Sequence, residues 1–441
     1  MPRSVTWGDR ALRAGAVLLA VLASPERSAG IERLHNLPYP HLEGRTVTQV
    51  LIFGNNRTHE IVFTREMRIE QGVIFRSGDL WHDRERILDL GIFAQVEVDA
   101  VPSGDGVLVV VSVAERPRWF ITPTFDYDID TTDLTLGYRF RLRNIGGMNR
   151  EIQSRGRWGA RDTFSVSWSQ PWIGSTKQTL TVDFTVDLPT QEPNALRQTR
   201  LGAATTRFLG DYKRLRRGVS GFAAVEVLRR SGTEPAGGVD EIGPVAGIGF
   251  FRDTRDVGVD PSRGTLLDVT GQSAWGLKTD ELGYWRASGD ARFFREIARN
   301  VTIAGRGSTV LTTGHVPDYR KIGVGGGSSI RGQPTDVAIG NNIGRASFEL
   351  RFPLFPERRF TISLPLLPKK VSNFDLRIDG ELFVDSGAAW NSRAEIQDTR
   401  VYTGAGAGLR VFLPVFEVAR VELAFDDEGR PTFYFRDGNI I

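Results

Sequence analysis

The residue of this chain best placed to do chemistry is Arg331, which stands in the run Gly325-Gly326-Gly327-Ser328-Ser329-Ile330-Arg331-Gly332-Gln333. Three glycines in a row let the backbone turn tightly. A guanidinium between Ile330 and Gly332 is then a planar fork of donors at a loop tip, suited to a buried bidentate contact with carboxylates. Those carboxylates must come from elsewhere in the chain. The run belongs to a long polar, glycine-rich connection between two strand-like segments, 300–313 and 343–352, and a structureless connection of that length is usually functional. By its own composition a flexible exposed loop is the better reading of the run. The elements around it decide between the two.

Other chemistries are poorly supplied. The chain has 441 residues and no cysteine, so neither a disulfide framework nor a thiolate metal site is available. Its five histidines (His35, His41, His59, His82, His315) show no metal-ligand spacing. The glycine run lacks the Lys-Ser/Thr of a phosphate cradle, and Ser328 and Ser329 show no nucleophile-base arrangement. No catalytic residue, metal or cofactor is expected, and the protein reads as a non-enzyme. The formal net charge of +3 is too small to argue for a nucleic-acid partner, and none is expected.

The elements that must position Arg331 begin with an export signal. Arg10 and Arg13 precede the apolar run 14–23, too short to cross a bilayer, with small residues near 23 and again near 30. Residues 1–30 read as a signal peptide cleaved after 23 or 30, and residues 31–44 as a linker. No later segment has the roughly 20 consecutive apolar residues of a membrane helix. An exported chain of this kind is periplasmic, secreted or an outer-membrane barrel.

Residues 45–116 form a small α+β unit. Val47 to Phe53 is a strand that ends at the turn Gly54-Asn55-Asn56. Thr58 can cap a helix carrying Ile61, Val62 and Met67 toward a core, and Ser77 or Asp79 can start a second helix that Gly91 stops. Two strands follow, Phe93 to Ala100 and Val107 to Val113, joined by Gly104-Asp105-Gly106. The order βααββ, with Ile52-Phe53-Gly54-Asn55, Arg65-Glu66-Met67 and Leu90-Gly91-Ile92-Phe93-Ala94-Gln95-Val96 at its junctions, resembles a polypeptide-transport-associated (POTRA) domain. The resemblance implies a periplasmic module that binds extended client polypeptides by adding them to a sheet edge. Physically, an uncovered edge offers backbone N–H and C=O groups to any extended peptide. A capped edge, with the domain acting as a spacer, is the alternative.

From residue 117 to 441 the texture changes to runs of about ten residues that alternate apolar and polar, separated by turn residues, as in a membrane barrel. In Leu134 to Arg143 the leucines and aromatics share one face and Thr135, Arg139, Arg141 and Arg143 the other. Seven tryptophans (Trp119, Trp158, Trp168, Trp172, Trp275, Trp285, Trp390) are spread over this part, enough for an interfacial girdle. Runs starting near 119, 133, 149, 163, 178, 197, 215, 241, 264, 281, 299, 342, 374, 402, 415 and 430 make about sixteen strands, an even number that closes an antiparallel barrel. Alternation turns Glu349 and Arg351 inward in the twelfth strand and Asp379, Glu381 and Asp385 inward in the thirteenth. The connection 314–341 then lies at the outer end, free to fold back into the lumen.

Three motifs resemble those of the BamA-like outer-membrane assembly and translocation superfamily. They are the loop run with Gly325, Gly326, Ile330, Arg331 and Gly332; the turn carrying Asp253, Arg255 and Asp256 followed by Pro261 and Gly264; and Phe383-Val384-Asp385-Ser386-Gly387. The resemblance implies that Arg331 pairs in the lumen with Glu349 and Asp385. It departs at Gln333, where the family usually has an aromatic or large apolar residue. It implies an outer-membrane protein that inserts or translocates other polypeptides, working with client chains, lipid and periplasmic accessory proteins. The alternative is a passive outer-membrane pore or surface barrel, since fold does not fix function. Pro123 in the first strand and Pro431 at the start of the last mark the seam as a place short of backbone donors.

Overall fold

The computed structural model describes residues 39–128, 133–159, 161–189, 196–213, 215–230, 241–258, 260–278, 282–361, 373–412, 418–437 and 441. The expected signal peptide, 1–30, lies outside them.

The small domain is built on β1 (Val47–Phe53), α1 (Glu60–Glu66), α2 (Ser77–Leu88), β2 (Phe93–Ser103) and β3 (Gly106–Glu115). Leu80, Asp83 and Ile87 share one face of α2 at helical spacing and are buried, together with Val62, Phe63 and Met67 from α1 and its end. Ile61 is exposed rather than turned to the core, because it falls on the opposite side of the short helix from Phe63. Nor does Thr58 cap α1. The helix starts after His59, and the Thr58 hydroxyl instead donates to Glu115 at 2.6 Å and accepts from Asn144 at 2.8 Å. Residues 39–44, expected as linker, also belong to this domain, since Leu42 is fully buried in its core. The sheet order is β1-β3-β2, with β1 parallel and β2 antiparallel to β3. Among the described residues β2 therefore pairs on one side only.

Sixteen further strands form an antiparallel barrel. The first eight are β4 (Trp119–Asp128), β5 (Asp133–Ile145), β6 (Arg150–Trp158), β7 (Arg161–Gln170), β8 (Gln178–Pro189), β9 (Leu196–Phe208), β10 (Arg216–Arg230) and β11 (Glu241–Asp253). The chain continues through β12 (Gly264–Trp275), β13 (Gly283–Ala298) and β14 (Val301–His315) to a short hairpin, β15 (Ile322–Val324) and β16 (Ala338–Gly340). It returns to the barrel in β17 (Asn342–Thr361), β18 (Asn373–Trp390), β19 (Tyr402–Phe412), β20 (Ala419–Asp426) and β21 (Pro431–Asp437). Sequential barrel strands are neighbours, and β21 returns to β4. Ile248, Trp285, Phe348 and Val384 point outward and are exposed, and Glu349, Arg351, Glu381 and Asp385 point inward and are buried. A protein core would have buried the first set, so the outer face is one made for lipid.

The seam lies between β21 and β4. Among the described residues Tyr434 with Asp128 and Phe435 with Tyr127 pair across it. Pro123 is paired within the first hairpin, opposite Tyr138, and Pro431 within the last, opposite Phe425. The described seam pairs set the middle of β21 against the end of β4.

The small domain is seated on three consecutive turns at one end of the barrel. Asn144 reaches Thr58 from the β5–β6 turn. Trp172 Nε1 donates to Glu66 at 3.2 Å from the β7–β8 turn, where Lys177 joins the same carboxylate. Arg68 Nε donates to the carbonyl of Lys213 in the β9–β10 turn at 2.8 Å.

Candidate functional site

One quadrant of the lumen wall is densely charged. Strand alternation brings Glu349 and Arg351 inward from β17, Glu381, Phe383 and Asp385 from β18, Arg410 from β19, Arg420 and Glu422 from β20 and Tyr434 from β21, all buried. Their sequence neighbours Phe348, Leu382, Val384, Leu423 and Phe425 face out.

The connection between β14 and β17 enters this wall from above, and it is not structureless as expected. It makes a turn of 3-10 helix at Asp318–Arg320, and β15 pairs with β16. Val324 and Ile330 pack against Ile343, which supplies the apolar burial that a flexible loop would lack. Gly325, Gly326 and Gly332 have φ of 115°, 72° and 94°, a region that side chains strain to adopt. A Cβ on Gly332 would also lie 2.6 Å from the backbone of Phe425, so the tip can approach β20 only as glycine.

Arg331 is completely buried at that tip. Its Nε and Nη2 donate to the two oxygens of Asp385 at 2.6 and 2.9 Å, the bidentate fork, and its backbone N–H donates to the same carboxylate at 3.1 Å. Nη1 donates to Glu422 at 2.8 Å and lies 3.1 Å from Glu349. The guanidinium also stacks on Phe383, 3.6 Å from the ring centroid. Just beyond it the tip is pinned by further hydrogen bonds. Gly332 N–H donates to the Tyr434 hydroxyl at 3.1 Å, and Gln333 Nε2 donates to the Thr403 carbonyl and to Asp427, each at 2.7 Å. The glutamine thus anchors the tip by hydrogen bonds.

The charges continue down the wall. Glu349 accepts from Arg351 at 2.9 and 2.7 Å, Glu422 from Arg420 at 2.8 Å, and Glu381 lies 3.6 Å from Arg410. At the lower end Asp260 reaches in from the β11–β12 turn to Arg410 at 2.9 Å and to Arg377. The turn motif found in the sequence holds that turn in shape. Arg255 forks onto Asp253 at 2.9 Å through two nitrogens. Asp256 accepts from the Ser262 backbone and hydroxyl at 3.0 and 2.6 Å. Pro261 is buried, and a Cβ on Gly264 would meet the Thr254 carbonyl. These residues meet one another and not Arg331. Their neighbour Asp260 makes the contact across the lumen.

Glu349, Asp385 and Arg331 come together in the structure. Glu422, Tyr434 and Asp260 were not singled out beforehand, and Phe383 only as part of its strand motif. The alternation that turned Glu349 inward also turns Glu422 and Phe383 inward, so those two were within reach of the same argument. Asp260 sits in an irregular turn, where no periodicity speaks. The arrangement contains no nucleophile with a base. It is a lock, in which a loop is held against three strands by a buried cation whose removal strands a carboxylate.

Residues 144–440 match the family described as the Omp85 superfamily domain, and residues 45–116 match the POTRA family described as surface antigen variable number repeat. The chain is 25% identical over 424 residues to an outer membrane protein assembly factor BamA of Nitratidesulfovibrio vulgaris, covering 87% of this chain and 49% of that protein. It spans about half the length of the curated relatives it matches. In fold it resembles BamA from Haemophilus ducreyi lacking POTRA domains 1–3, with a TM-score of 0.55 and 16% identity over 88% of this chain and 84% of that one. It also resembles CdiB from Escherichia coli, with a TM-score of 0.61 and 16% identity over 90% and 77% of the two chains.

Proposed function

This chain belongs to the Omp85 superfamily, and from that premise we propose that it inserts or translocates other polypeptides at the outer membrane, engaging them as added β-strands. The barrel lies in the outer membrane and the small domain in the periplasm. The observation that carries the reading is the seam, where among the described residues two residue pairs join β4 to β21, against the thirteen that join β10 to β11. Each net ladder bond is worth only about 0.5–1.5 kcal/mol in water, although groups left unpaired in lipid cost several. A client strand that offers its own backbone groups can replace so short a ladder. The lock beside the seam keeps β17 to β20 in place while it opens. In the periplasm the free edge of β2 offers an earlier docking place for the same extended chains, and accessory proteins are expected partners there.

The chain has no cysteine, so a seam disulfide can be engineered cleanly. Tyr127→Cys with Phe435→Cys places the two thiols at a paired position. In proteoliposomes given a urea-denatured small outer-membrane barrel as client, the oxidised protein should fail to assemble it and the reduced protein should succeed. Equal assembly in both states refutes the lateral route.

A further inference from the structure

We propose that the lumen contains a binding site for a small inorganic anion of chloride type, between the loop tip and the wall made by β14 and β17. A cleft there is lined by Arg306, Ser308, Ser328, Ser329, Arg345 and Ser347. In the β14–β17 register Arg306 stands opposite Ser347 and Ser308 opposite Arg345, so guanidinium and hydroxyl groups alternate over the lumenal face.

Two observations point to an anion. The first is Arg345. It makes one hydrogen bond, Nε to Ser308 Oγ at 3.2 Å, and among the described residues no carboxylate lies within ion-pairing distance of it. The acid on the neighbouring strand, Asp290, already holds Arg292 and Arg306, each through Nε at 2.8 Å. Asp290 acts on Arg345 as well, from beyond contact, so three guanidiniums share one carboxylate and positive charge is left over in a half-buried place. The second is Ser329, which is 8% exposed and whose hydroxyl lines the cleft with no hydrogen-bond partner. Buried hydroxyls are almost always partnered, and this one can donate. Ser308 accepts from Arg345, which leaves its own proton free to turn into the cleft.

Size narrows the ligand. The free volume is about 10 Å³, room for one particle close to the size of water. A water molecule would satisfy Ser329 and leave Arg345 unbalanced, whereas a halide answers both. A bound halide joins the tip residues Ser328 and Ser329 to β14 and β17, one strand over from Asp385, and so helps to seat the loop.

The test uses the full-length protein in detergent. Crystals equilibrated with bromide at physiological ionic strength, about 0.15 M, should show an anomalous peak within hydrogen-bonding reach of Arg345 and Ser329. The melting temperature should be higher in chloride than in gluconate at equal ionic strength. That difference should vanish in Arg345→Gln and shrink in Ser329→Ala, with halide affinity lowered several-fold. If Arg345→Gln does not fold, Ser329→Ala, which removes one oxygen, carries the comparison. No bromide in the cleft, a peak that needs molar bromide (an adventitious ion only), or a chloride effect unchanged in the variants overturns the proposal.

Discussion

Replacing Arg331 with alanine removes five contacts of unequal weight. Glu349 and Glu422 keep Arg351 and Arg420 as partners after the change. Asp385 does not, because among the described residues Arg331 is the cation paired with it, and only the backbone N–H of residue 331 would still reach its carboxylate. The loss should therefore be dominated by one stranded buried charge, on the order of 3–5 kcal/mol. Arg331→Lys keeps the charge and gives up the fork and the flat stack on Phe383, so it should fall between alanine and wild type. Neutralising the stranded acid gives the sharper forecast: Arg331→Ala with Asp385→Asn should be more stable than Arg331→Ala alone. Urea unfolding in detergent, followed by tryptophan fluorescence, measures the stability. Trypsin cleavage after Arg320 or Lys321 reports release of the loop. Should Arg331→Ala unfold like wild type, or should Asp385→Asn add its own loss instead of giving relief, the lock is not what holds the loop.

Asp260→Asn should loosen the β11–β12 turn from Arg410 and Arg377, costing on the order of 2–4 kcal/mol, and faster trypsin cleavage after Arg255 or Arg263 would report it. Asp83, buried in the small domain beneath the Arg68 and Ile69 amides it accepts from, has its carboxyl pushed up to about 6 by burial. A raised acid favours the folded state below its unfolded pKa and loses that contribution as pH rises through the folded one. Relative to Asp83→Asn, the wild-type domain should thus weaken by about 2 kcal/mol between pH 4 and pH 7. His82, lowered by burial and titrating in the opposite sense, is common to both proteins. A pH-independent difference in unfolding free energy would contradict the assignment. Outward-facing amides of β2 should exchange quickly in the free protein and slow when an extended client peptide is added, and unchanged exchange would leave the domain a spacer.

The inward set of each strand was legible without coordinates, because the period of two is a local consequence of extended backbone: Glu349, Arg351, Glu381 and Asp385 could be turned inward from their neighbours alone. The number of strands followed from counting the same pattern, and Arg331 stood out because a lone guanidinium between isoleucine and glycine at the end of a glycine run is an unusual thing to leave in water. Which acids would close around it was another matter. Glu422 is as inward as Glu349 by its pattern, but it lies on β20, far along the chain, and only the folding of 316–341 into the barrel and the order of β17 to β20 bring it to the same guanidinium. Asp260 crosses the lumen from a turn with no period to read. At the seam the register of β21 against β4 joins Tyr434 to Asp128 and Phe435 to Tyr127, and no local pattern gives that register. Local backbone geometry decides facing, and it is visible residue by residue. Register across a closing barrel and the descent of a loop into its lumen are set by packing between distant segments, and only the tertiary structure holds that information.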